Sequence, residues 1–319
     1  MRVPVALIAL AALAATGCGE KAAPPQAAAA QWRTLAPSKL ARTEVAAARI
    51  GRFIYVLGGF ATSGATTDAV ARYDIERNRW TRVAGMPVGL NHAAAVAYRG
   101  RVYVLGGYSA PNGLSSPVAT LYRYDPKRNR WTELPPAPTA RAALAVGVIG
   151  RRLYAVGGAN DQGALRTLEI YDFARRRWSA GPDMRTAREH LAGAVAHGRF
   201  YALAGRTAGA GNFDLVEAYD PTARRWRDAP AMRKPRGGIG AATIRGGRIV
   251  VAGGEEGAGT IREVELYNPR TRRWRRLPDL PTPRHGLGVV SRGNRVYVAE
   301  GGDRPGLAFS RALEALDVR

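Results

Sequence analysis

Three short stretches, Val102-Tyr-Val-Leu-Gly-Gly107, Tyr124-Asp125 and Trp131, form a pattern that returns along nearly the whole chain. The gaps between successive tryptophans are 48, 51, 47, 48 and 48 residues, and the six are Trp32, Trp80, Trp131, Trp178, Trp226 and Trp274. From Trp80 onward, each tryptophan follows a Tyr-Asp or Tyr-Asn pair by six residues. A period near 50 residues predicts one structural unit repeated many times.

Each unit contains four short segments. A run of small apolar residues, such as Ala93-Ala-Ala-Val, comes first, and a segment that ends in paired glycines follows it. The third segment ends at Tyr-Asp, and the fourth begins at the tryptophan. All four are rich in β-branched or aromatic residues or small apolar ones, and Gly, Pro, Asp or Asn bound them, so they predict four strands per unit and no helices.

The glycine pairs, Tyr-Asp pairs and tryptophans occur in register over residues 32–319 and resemble the kelch motif of β-propellers. The resemblance implies an all-β fold, a six-bladed β-propeller of four-stranded antiparallel blades. Two units depart from the glycine pair, with Ala204-Gly205 in unit four and Glu300-Gly301 in unit six. We expect locally altered loops at these two places.

The two ends of the repeat complement each other. The last unit supplies three strands and ends near Leu316-Asp317 without its tryptophan, whereas the strand at Trp32 has no unit before it. Pairing the two would complete the sixth blade and leave no orphan strand edge. The sequence therefore predicts a ring closed by the Trp32 strand.

The first 31 residues resemble the start of a bacterial lipoprotein. Residues 3–15 are apolar but shorter than the ~20 residues that span a bilayer. Ala15-Thr16-Gly17-Cys18 resembles a lipobox, although Ala15 stands where leucine is usual. The resemblance implies a signal peptide at 1–17, a lipidated Cys18 with a disordered tether to residue 31, and an outer-membrane location facing the periplasm. An ordinary signal peptide cut elsewhere is the alternative.

Basic residues concentrate in the turns expected at one end of the blades. The chain has a formal charge of +23, and 24 of its 48 Lys and Arg residues lie in these turns. We call them the basic rim, and they are the Lys and Arg residues of segments 49–52, 99–101, 151–152, 199, 245–248, 292–295, 77–79, 127–130, 175–177, 224–225 and 270–273. Anionic lipid head groups would attract this rim; solvated turns with no such role are the alternative. No nucleic-acid partner is expected, because no reader motif is present.

The opposite end carries longer and more variable loops, where binding usually resides. An arginine precedes the first strand in five units, and Leu90 takes its place in unit two; the five are Arg42, Arg141, Arg188, Arg236 and Arg284. In kelch-type propellers that bind acidic peptides, arginines at this loop reach the ligand. The resemblance makes these five the predicted contacts for an acidic segment of an envelope protein or an anionic glycan. A repeated structural role, with each arginine paired to a neighbour, is the alternative.

No catalytic residue, metal site or cofactor is predicted. His92 and His190 lie two units apart, which disfavours a shared metal unless both reach the axis, and the four histidines are expected at exposed rims. Copper radical oxidases share the kelch propeller but need a cysteine crosslinked to a tyrosine, and Cys18 is the only cysteine. Periplasmic sialic-acid mutarotases are a second kelch resemblance.

The mutarotase resemblance gives the main alternative to a non-catalytic binding module. Such an enzyme needs an acid-base group beside arginines. The candidates near the loop face are Glu255, Glu256, Glu300 and Asp303. The preferred prediction remains an exported, lipid-anchored binding module.

Overall fold

The computed structural model describes Met1 and residues 30–319, and Cys18 lies outside the described residues. Six sheets of at least four antiparallel strands form a ring, which confirms the predicted six-bladed propeller. Within residues 30–319 every regular element is a strand, and no helix there is long and apolar enough to cross a membrane.

The strands of the first three blades, from the axis outward, are as follows. Blade 1 contains Ala46–Ile50, Phe53–Leu57, Val70–Asp74 and Arg79–Val83. Blade 2 contains Ala94–Tyr98, Arg101–Leu105, Leu121–Asp125 and Arg130–Leu134. Blade 3 contains Ala145–Ile149, Arg152–Val156, Leu168–Asp172 and Arg177–Ala180.

The other three blades repeat this arrangement. Blade 4 contains Ala192–Ala196, Arg199–Leu203, Val216–Asp220 and Arg225–Ala229. Blade 5 contains Gly237–Ile244, Arg248–Glu256, Val264–Asn268 and Arg273–Leu277. Blade 6 contains Gly288–Arg292, Arg295–Ala299, Leu313–Asp317 and the N-terminal Trp32–Thr34.

Short two-residue strands lie in the loops at one end of the blades. They are Arg42–Thr43, Phe60–Ala61, Ala159–Asn160, Gly163–Ala164, Arg206–Thr207, Gly211–Asn212 and Gly259–Thr260. The pairing of Arg42 with Ala61 and of Glu189 with Arg206 ties each loop base to the segment just before a first strand.

The repeated motif residues hold each blade to its neighbour. The indole N–H of Trp80 donates to the carbonyl of Ala36 at 2.7 Å, and Tyr73 packs on the same indole with centroids 5.1 Å apart. The Asp74 carboxylate accepts hydrogen bonds from the backbone N–H groups of Glu76 and Arg77 and so caps the turn between the third and fourth strands. Each later tryptophan bonds a carbonyl 43–47 residues before it, which explains the period.

The hydrophobic core lies between adjacent blades. Tyr55 and Val70 of blade 1 pack with Val102, Val104 and Tyr124 of blade 2, and equivalent clusters fill the other interfaces. Small residues of the first strands surround a central channel of about 390 Å³. Small residues suit this position because the first strands of all six blades meet there.

The N-terminal strand closes the ring as predicted. Trp32 pairs with Leu316 and Thr34 with Glu314, and the Trp32 indole donates to the carbonyl of Pro278 in the preceding blade. The closure seam has its own apolar cluster, in which Ile54 of blade 1 contacts residues such as Leu313 of blade 6. The seam therefore packs like the other interfaces.

The register gives the disc two distinct faces. Phe53 pairs with both Ile50 and Asp74, and Asp74 pairs with Arg79, so the turns that carry the basic rim lie together on one face. We call it the basic face, and we call the opposite end, with loops 60–68, 108–118, 159–166, 206–214, 255–262 and 303–311, the loop face. Trp32 enters at the basic face because it pairs near the end of the last strand.

Candidate functional site at the propeller axis

A closed ring of backbone hydrogen bonds surrounds the axis near the loop face. One residue of each blade contributes, always two positions after the arginine position, and we call these the axial positions. They are Glu44, His92, Ala143, His190, Gly238 and Gly286. Each N–H from His92 onward donates to the preceding axial carbonyl at 2.8–3.1 Å, and the N–H of Val45 closes the ring on Gly286. All six residues have positive φ, between 52° and 66°.

Three axial positions bring ionisable side chains together at the centre. Nε2 of His92 lies 3.2 Å from Oε2 of Glu44, and the His92 and His190 rings meet with centroids 4.8 Å apart. Both histidines are buried. The expectation that His92 and His190 lie on exposed rims, too far apart to meet, is therefore wrong, because the axial positions are where the blades converge. His197 alone among the four histidines is exposed.

A second layer of polar groups surrounds the three. His285 Nδ1 lies 3.0 Å from Oε1 of Glu44 and 3.5 Å from Oε2 of Glu255. Arg206 links Glu189 and Glu255, with its Nε 2.9 Å from Oε1 of Glu189 and its Nη1 2.7 Å from Oε1 of Glu255. The remaining Glu189 oxygen contacts Nδ1 of His190. A continuous polar network thus encircles the axis.

Burial and neighbouring charges shift the pKa values in this network in opposite directions. Burial lowers the pKa of His92 to about 4, so its imidazole is neutral at pH 7. Burial would raise the pKa of Glu44, but His92, His285 and His190 together hold it well below its usual range. Burial opposes protonation of His285, yet its contact with Glu44 raises its pKa overall. Perturbed, partly enclosed groups of this kind mark a candidate functional site.

The space at the axial positions is small. The throat lined by Glu44, His92, His190 and their neighbours has a volume of about 80 Å³. Pockets for small organic ligands measure roughly 300–1,000 Å³. The throat therefore has room for water or an ion, whereas a sugar or peptide would bind above it among the loops.

The five predicted contact arginines have a different role from the predicted one. All are fully buried, with 0–1% of their surface exposed, and each guanidinium group donates to carbonyls of its own blade and forms an ion pair with a glutamate. The pairs are Arg42–Glu300 at 2.8 Å, Arg141–Glu169 at 2.6 Å, Arg188–Glu217 at 3.0 Å, Arg236–Glu265 at 2.5 Å and Arg284–Glu314 at 2.6 Å. An exposed arginine ring for an anionic ligand is thus not formed in residues 30–319, and the alternative, a repeated structural role, describes these side chains.

Blades 1 and 2 differ from the other four blades in this arginine–glutamate pairing. In blades 3 to 6 the glutamate is the second residue of the third strand. Blade 2 has Leu90 in place of the arginine and Tyr122 in place of the glutamate. Blade 1 has Ala71 there, and Arg42 is paired across the closure seam by Glu300 through two hydrogen bonds of 2.8 and 3.1 Å. Where the third strand lacks the glutamate, the arginine is also absent, as in blade 2, or is paired with a glutamate elsewhere, as in blade 1. This is expected because a buried charge needs a partner.

The two departures from the glycine pair do not alter their loops. Ala204 and Glu300 adopt φ values of 52° and 54°, within the positive region used by the glycines at equivalent positions. A side chain is strained there by about 1–2 kcal/mol. Glu300 supplies the partner of Arg42, which accounts for its presence.

The four acids suggested for sugar catalysis separate in the structure. Glu300 is buried and engaged by Arg42, and Glu256 pairs with Lys234 at 2.9 Å. Asp303 is exposed on a loop. Glu255 alone of the four joins the axial network.

The basic rim forms a mostly exposed belt on the basic face. Several of its arginines pair with the aspartate that ends the third strand of the blade, for example Arg101 with Asp125 at 3.0 Å and Arg199 with Asp220 at 2.9 Å. The basic residues of the turns between third and fourth strands are all exposed. The rim thus keeps a large excess of positive charge.

Comparisons with known proteins identify the family. The sequence profile described as the KLHDC2/KLHL20/DRC7 Kelch-repeats domain matches residues 26–186 and 91–302. Kelch-like protein terF of Aspergillus terreus is 36% identical over 124 residues, which are 37% of this chain and 27% of that protein. Human Kelch-like protein 34 is 32% identical over 126 residues, 39% of this chain and 20% of that protein. The chain therefore spans about a quarter or less of the length of these relatives.

A solved structure supports the same fold. The chain titled "Structure of YjhT" superimposes with a TM-score of 0.76 at 17% identity, over 88% of this chain and 95% of that one. At this identity the likeness concerns the fold. The profile match, the repeated motif and the six blades together show that this chain belongs to the Kelch-repeat β-propeller family, whose fold suggests a protein-interaction module.

Proposed function

We propose that this protein is an exported, lipid-anchored interaction module whose loop face binds a protein segment while its basic face looks toward the membrane. The opposite character of the two faces is the observation that carries the proposal. One face holds the basic rim and receives the chain at Trp32, and the other holds the exposed large apolar side chains of the described propeller.

The apolar side chains of the loop face favour a protein partner. Val88, Leu114 and Leu307 are 41%, 57% and 59% exposed. Their loops belong to neighbouring blades, since the N–H of Thr66 donates to the carbonyl of Pro111 and Leu307 covers Gly64. Exposed apolar residues gathered on one face of a polar protein are typical of interaction sites.

A preference for acidic segments has to come from cations other than the five buried arginines. Arg166, Arg262 and Arg304 are exposed on loops of this face. We retain an acidic protein segment as the ligand class, with an anionic glycan as the second choice.

The membrane orientation follows from the tether. A lipid on Cys18 would be joined to Trp32 by thirteen residues, which reach on the order of 20 Å. Since Trp32 lies on the basic face, the anchor would hold the rim near anionic head groups, worth about 1 kcal/mol for each nearby basic side chain. The loop face would then point away from the membrane, toward the periplasm if the anchor is in the outer membrane.

Capture from crosslinked cell envelopes, followed by mass spectrometry, tests the binding face. The variant Val88→Ser/Leu114→Ser/Leu307→Ser should lose a partner that the unchanged full chain captures. The matched control Arg224→Gln/Arg225→Gln/Arg272→Gln changes the opposite face and should keep it. Equal capture by all three proteins would contradict the loop-face assignment.

Lipidation is tested separately. Full-length chain should take up a labelled fatty acid and fractionate with membranes, and Cys18→Ser should do neither. Uptake by Cys18→Ser would show that the anchor is elsewhere, and no uptake by the unchanged chain would favour the ordinary signal peptide.

The axial network favours one second function, a sugar-processing enzyme that resembles sialic-acid mutarotase. Glu255 beside Arg206 and His285 combines a carboxylate with cations, as acid-base work on an anionic sugar requires. The sugar would have to sit in the loops above the small throat. Faster exchange of sialic-acid anomers with the full chain than with Glu255→Gln, followed by NMR, would support this function.

A further inference from the structure

We propose that Glu44, His92 and His190 bind one divalent transition-metal ion, with zinc as the best match, at the centre of the axial ring. This site is additional to the proposed interaction function and does not depend on it. One ligand atom from each of the three residues lies within 4.8 Å of the others. Two imidazoles and one carboxylate are a common ligand set for Zn²⁺.

The distances are compatible with modest closure around an ion. Ligand atoms of a tetrahedral zinc site lie about 3.4 Å apart, given bonds of roughly 2.1 Å. Nε2 of His92 and Oε2 of Glu44 are already 3.2 Å apart. His190 belongs to the same group, in which the three ligand atoms lie within 4.8 Å of one another.

Asn91 prepares His92 as a metal ligand. The Asn91 amide nitrogen donates to Oγ1 of Thr66 at 2.9 Å, and Thr66 uses its own hydrogen on the carbonyl of Ala110. The Asn91 amide oxygen therefore faces Nδ1 of His92 at 2.6 Å, and because this oxygen only accepts, Nδ1 carries the proton. In the neutral ring, the lone pair then resides on Nε2, which faces Glu44.

Glu189 prepares His190 in the same way. Its carboxylate contacts Nδ1 of His190, and its other oxygen accepts from Nε of Arg206 at 2.9 Å. A carboxylate that accepts a hydrogen bond from the N–H of one histidine nitrogen leaves the other nitrogen available to a metal. This carboxylate–histidine arrangement is the usual second layer of zinc sites, where it fixes the tautomer and raises ligand basicity.

The arrangement places acceptors against each other at the centre. With its single proton on Nδ1, the His92 ring presents Nε2 to Oε2 of Glu44 at 3.2 Å, and a cation between these two acceptors would satisfy both. The network holds three carboxylates, those of Glu44, Glu189 and Glu255, against two basic groups: Arg206, which pairs with Glu189 and Glu255, and His285, which faces Glu44 and Glu255. The site therefore favours positive charge.

The axial ring does not itself require these side chains. Gly238 and Gly286 occupy equivalent positions and make the same backbone bonds. A side chain at positive φ costs about 1–2 kcal/mol, so Glu44, His92 and His190 stand where glycine would be easier. A Cβ at Gly286 would lie 2.5 Å from the Glu44 carboxyl carbon, so this glycine makes room for that carboxylate.

The throat completes the coordination. Three protein ligands leave one position of a tetrahedral zinc ion for water. The space of about 80 Å³ lined by the three side chains accommodates that water.

Isothermal titration of tag-free, chelator-treated full chain with Zn²⁺ tests the site. We expect one tightly bound ion per chain, and tetrahedral d–d absorption when Co²⁺ replaces Zn²⁺. The variant His92→Ala/His190→Ala should lose both signals while remaining folded, because Ala143 occupies the same position at φ 52°. His197→Ala removes an exposed histidine and is the matched control.

A second variant separates a built site from adventitious binding. Glu189→Gln should retain one ion with an affinity lower by about 10–100-fold, because it weakens the second layer without removing a ligand. No stoichiometric binding by the unchanged chain, or equal binding by the His92→Ala/His190→Ala variant, would overturn the proposal.

Discussion

Two sets of side chains lie two residues apart in each repeat near the loop face and behave in opposite ways. The arginine position holds the same residue in five blades, and all five guanidinium groups face inward to glutamates. The axial position holds Glu, His, Ala, His, Gly and Gly in the six blades, and its three ionisable side chains face one another. Residues that repeat with the fold serve each blade alike, whereas residues that break the repeat create a single asymmetric site at the axis.

The largest effect is expected from breaking a repeated pair. Arg188→Leu leaves Glu217 buried without its cation and should lower the free energy of unfolding by about 3–5 kcal/mol. The double variant Arg188→Leu/Glu217→Tyr copies blade 2, which has Leu90 and Tyr122, and should recover much of that loss. Urea denaturation of both variants measures the difference, and equal losses would contradict a buried pair that acts as a unit.

The closure seam offers the next test. Glu300→Gly relieves the strain at φ 54° but strands Arg42, and we expect a net loss of about 3 kcal/mol. Adding Ala71→Glu places a carboxylate where blades 3 to 6 carry theirs and should restore most of the stability. A failure of Ala71→Glu to rescue Glu300→Gly would show that the seam needs its pair across the two blades.

Alanine substitutions at two axial glycines should lower the stability by smaller and different amounts. Gly286→Ala brings a methyl group against Glu44 and should cost about 1–3 kcal/mol from overcrowding in addition to backbone strain. Gly238→Ala has a similar φ but its nearest contact is 3.3 Å away, so only the strain of about 1–2 kcal/mol is expected. Thermal unfolding compares the two, and equal losses would mean that Glu44 does not need the space at Gly286.

The smallest effect concerns the aspartates that cap turns of the basic face. A backbone N–H of Arg175 lowers the pKa of Asp172, and one of Ala223 lowers that of Asp220. Because the pKa of each aspartate in the folded state lies below its unfolded value of about 3.8, both carboxylates stabilise the fold above pH 3.8. This stabilisation is lost as the pH falls through the folded-state pKa values. Asp172→Asn/Asp220→Asn should change the free energy of unfolding little at pH 7. It should also make the decrease in that free energy between pH 4 and pH 2 smaller.

Blade 5 is the natural control for that titration. Asn268 accepts the same type of N–H bond from Arg270 without an ionisable group. A steeper acid transition in the Asp172→Asn/Asp220→Asn variant, measured by denaturation at a series of pH values, would contradict the assignment of the pKa shifts.

The sequence predicted the fold well because the repeat reports it directly. In blades 1 to 5, Trp80, Tyr73, Asp74 and their equivalents make the same types of contact, so their spacing identifies the blade. Ring closure followed from counting strands at the two ends. These features depend on local order along the chain, which a single sequence contains.

The sequence did not predict the site because a repeat shows which positions are equivalent but does not show whether their side chains are exposed. The arginine position is visible in the sequence, but four of the five glutamates lie about 30 residues later, in the third strand, where no local pattern links them to it. The joint change to Leu90 and Tyr122 in blade 2 was the available signal. His92 and His190 are far apart in sequence, and only the convergence of six blades at the axis brings them together.

The zinc dependence of stability tests the central claim most directly, namely that residues breaking the repeat form the site. In urea denaturation of the full chain, zinc at a hundred times its dissociation constant should raise the free energy of unfolding by about 2.7 kcal/mol. The Arg188→Leu/Glu217→Tyr variant should keep this increment and His92→Ala/His190→Ala should lose it. An increment retained without the two histidines, or absent from the unchanged chain, would contradict the account.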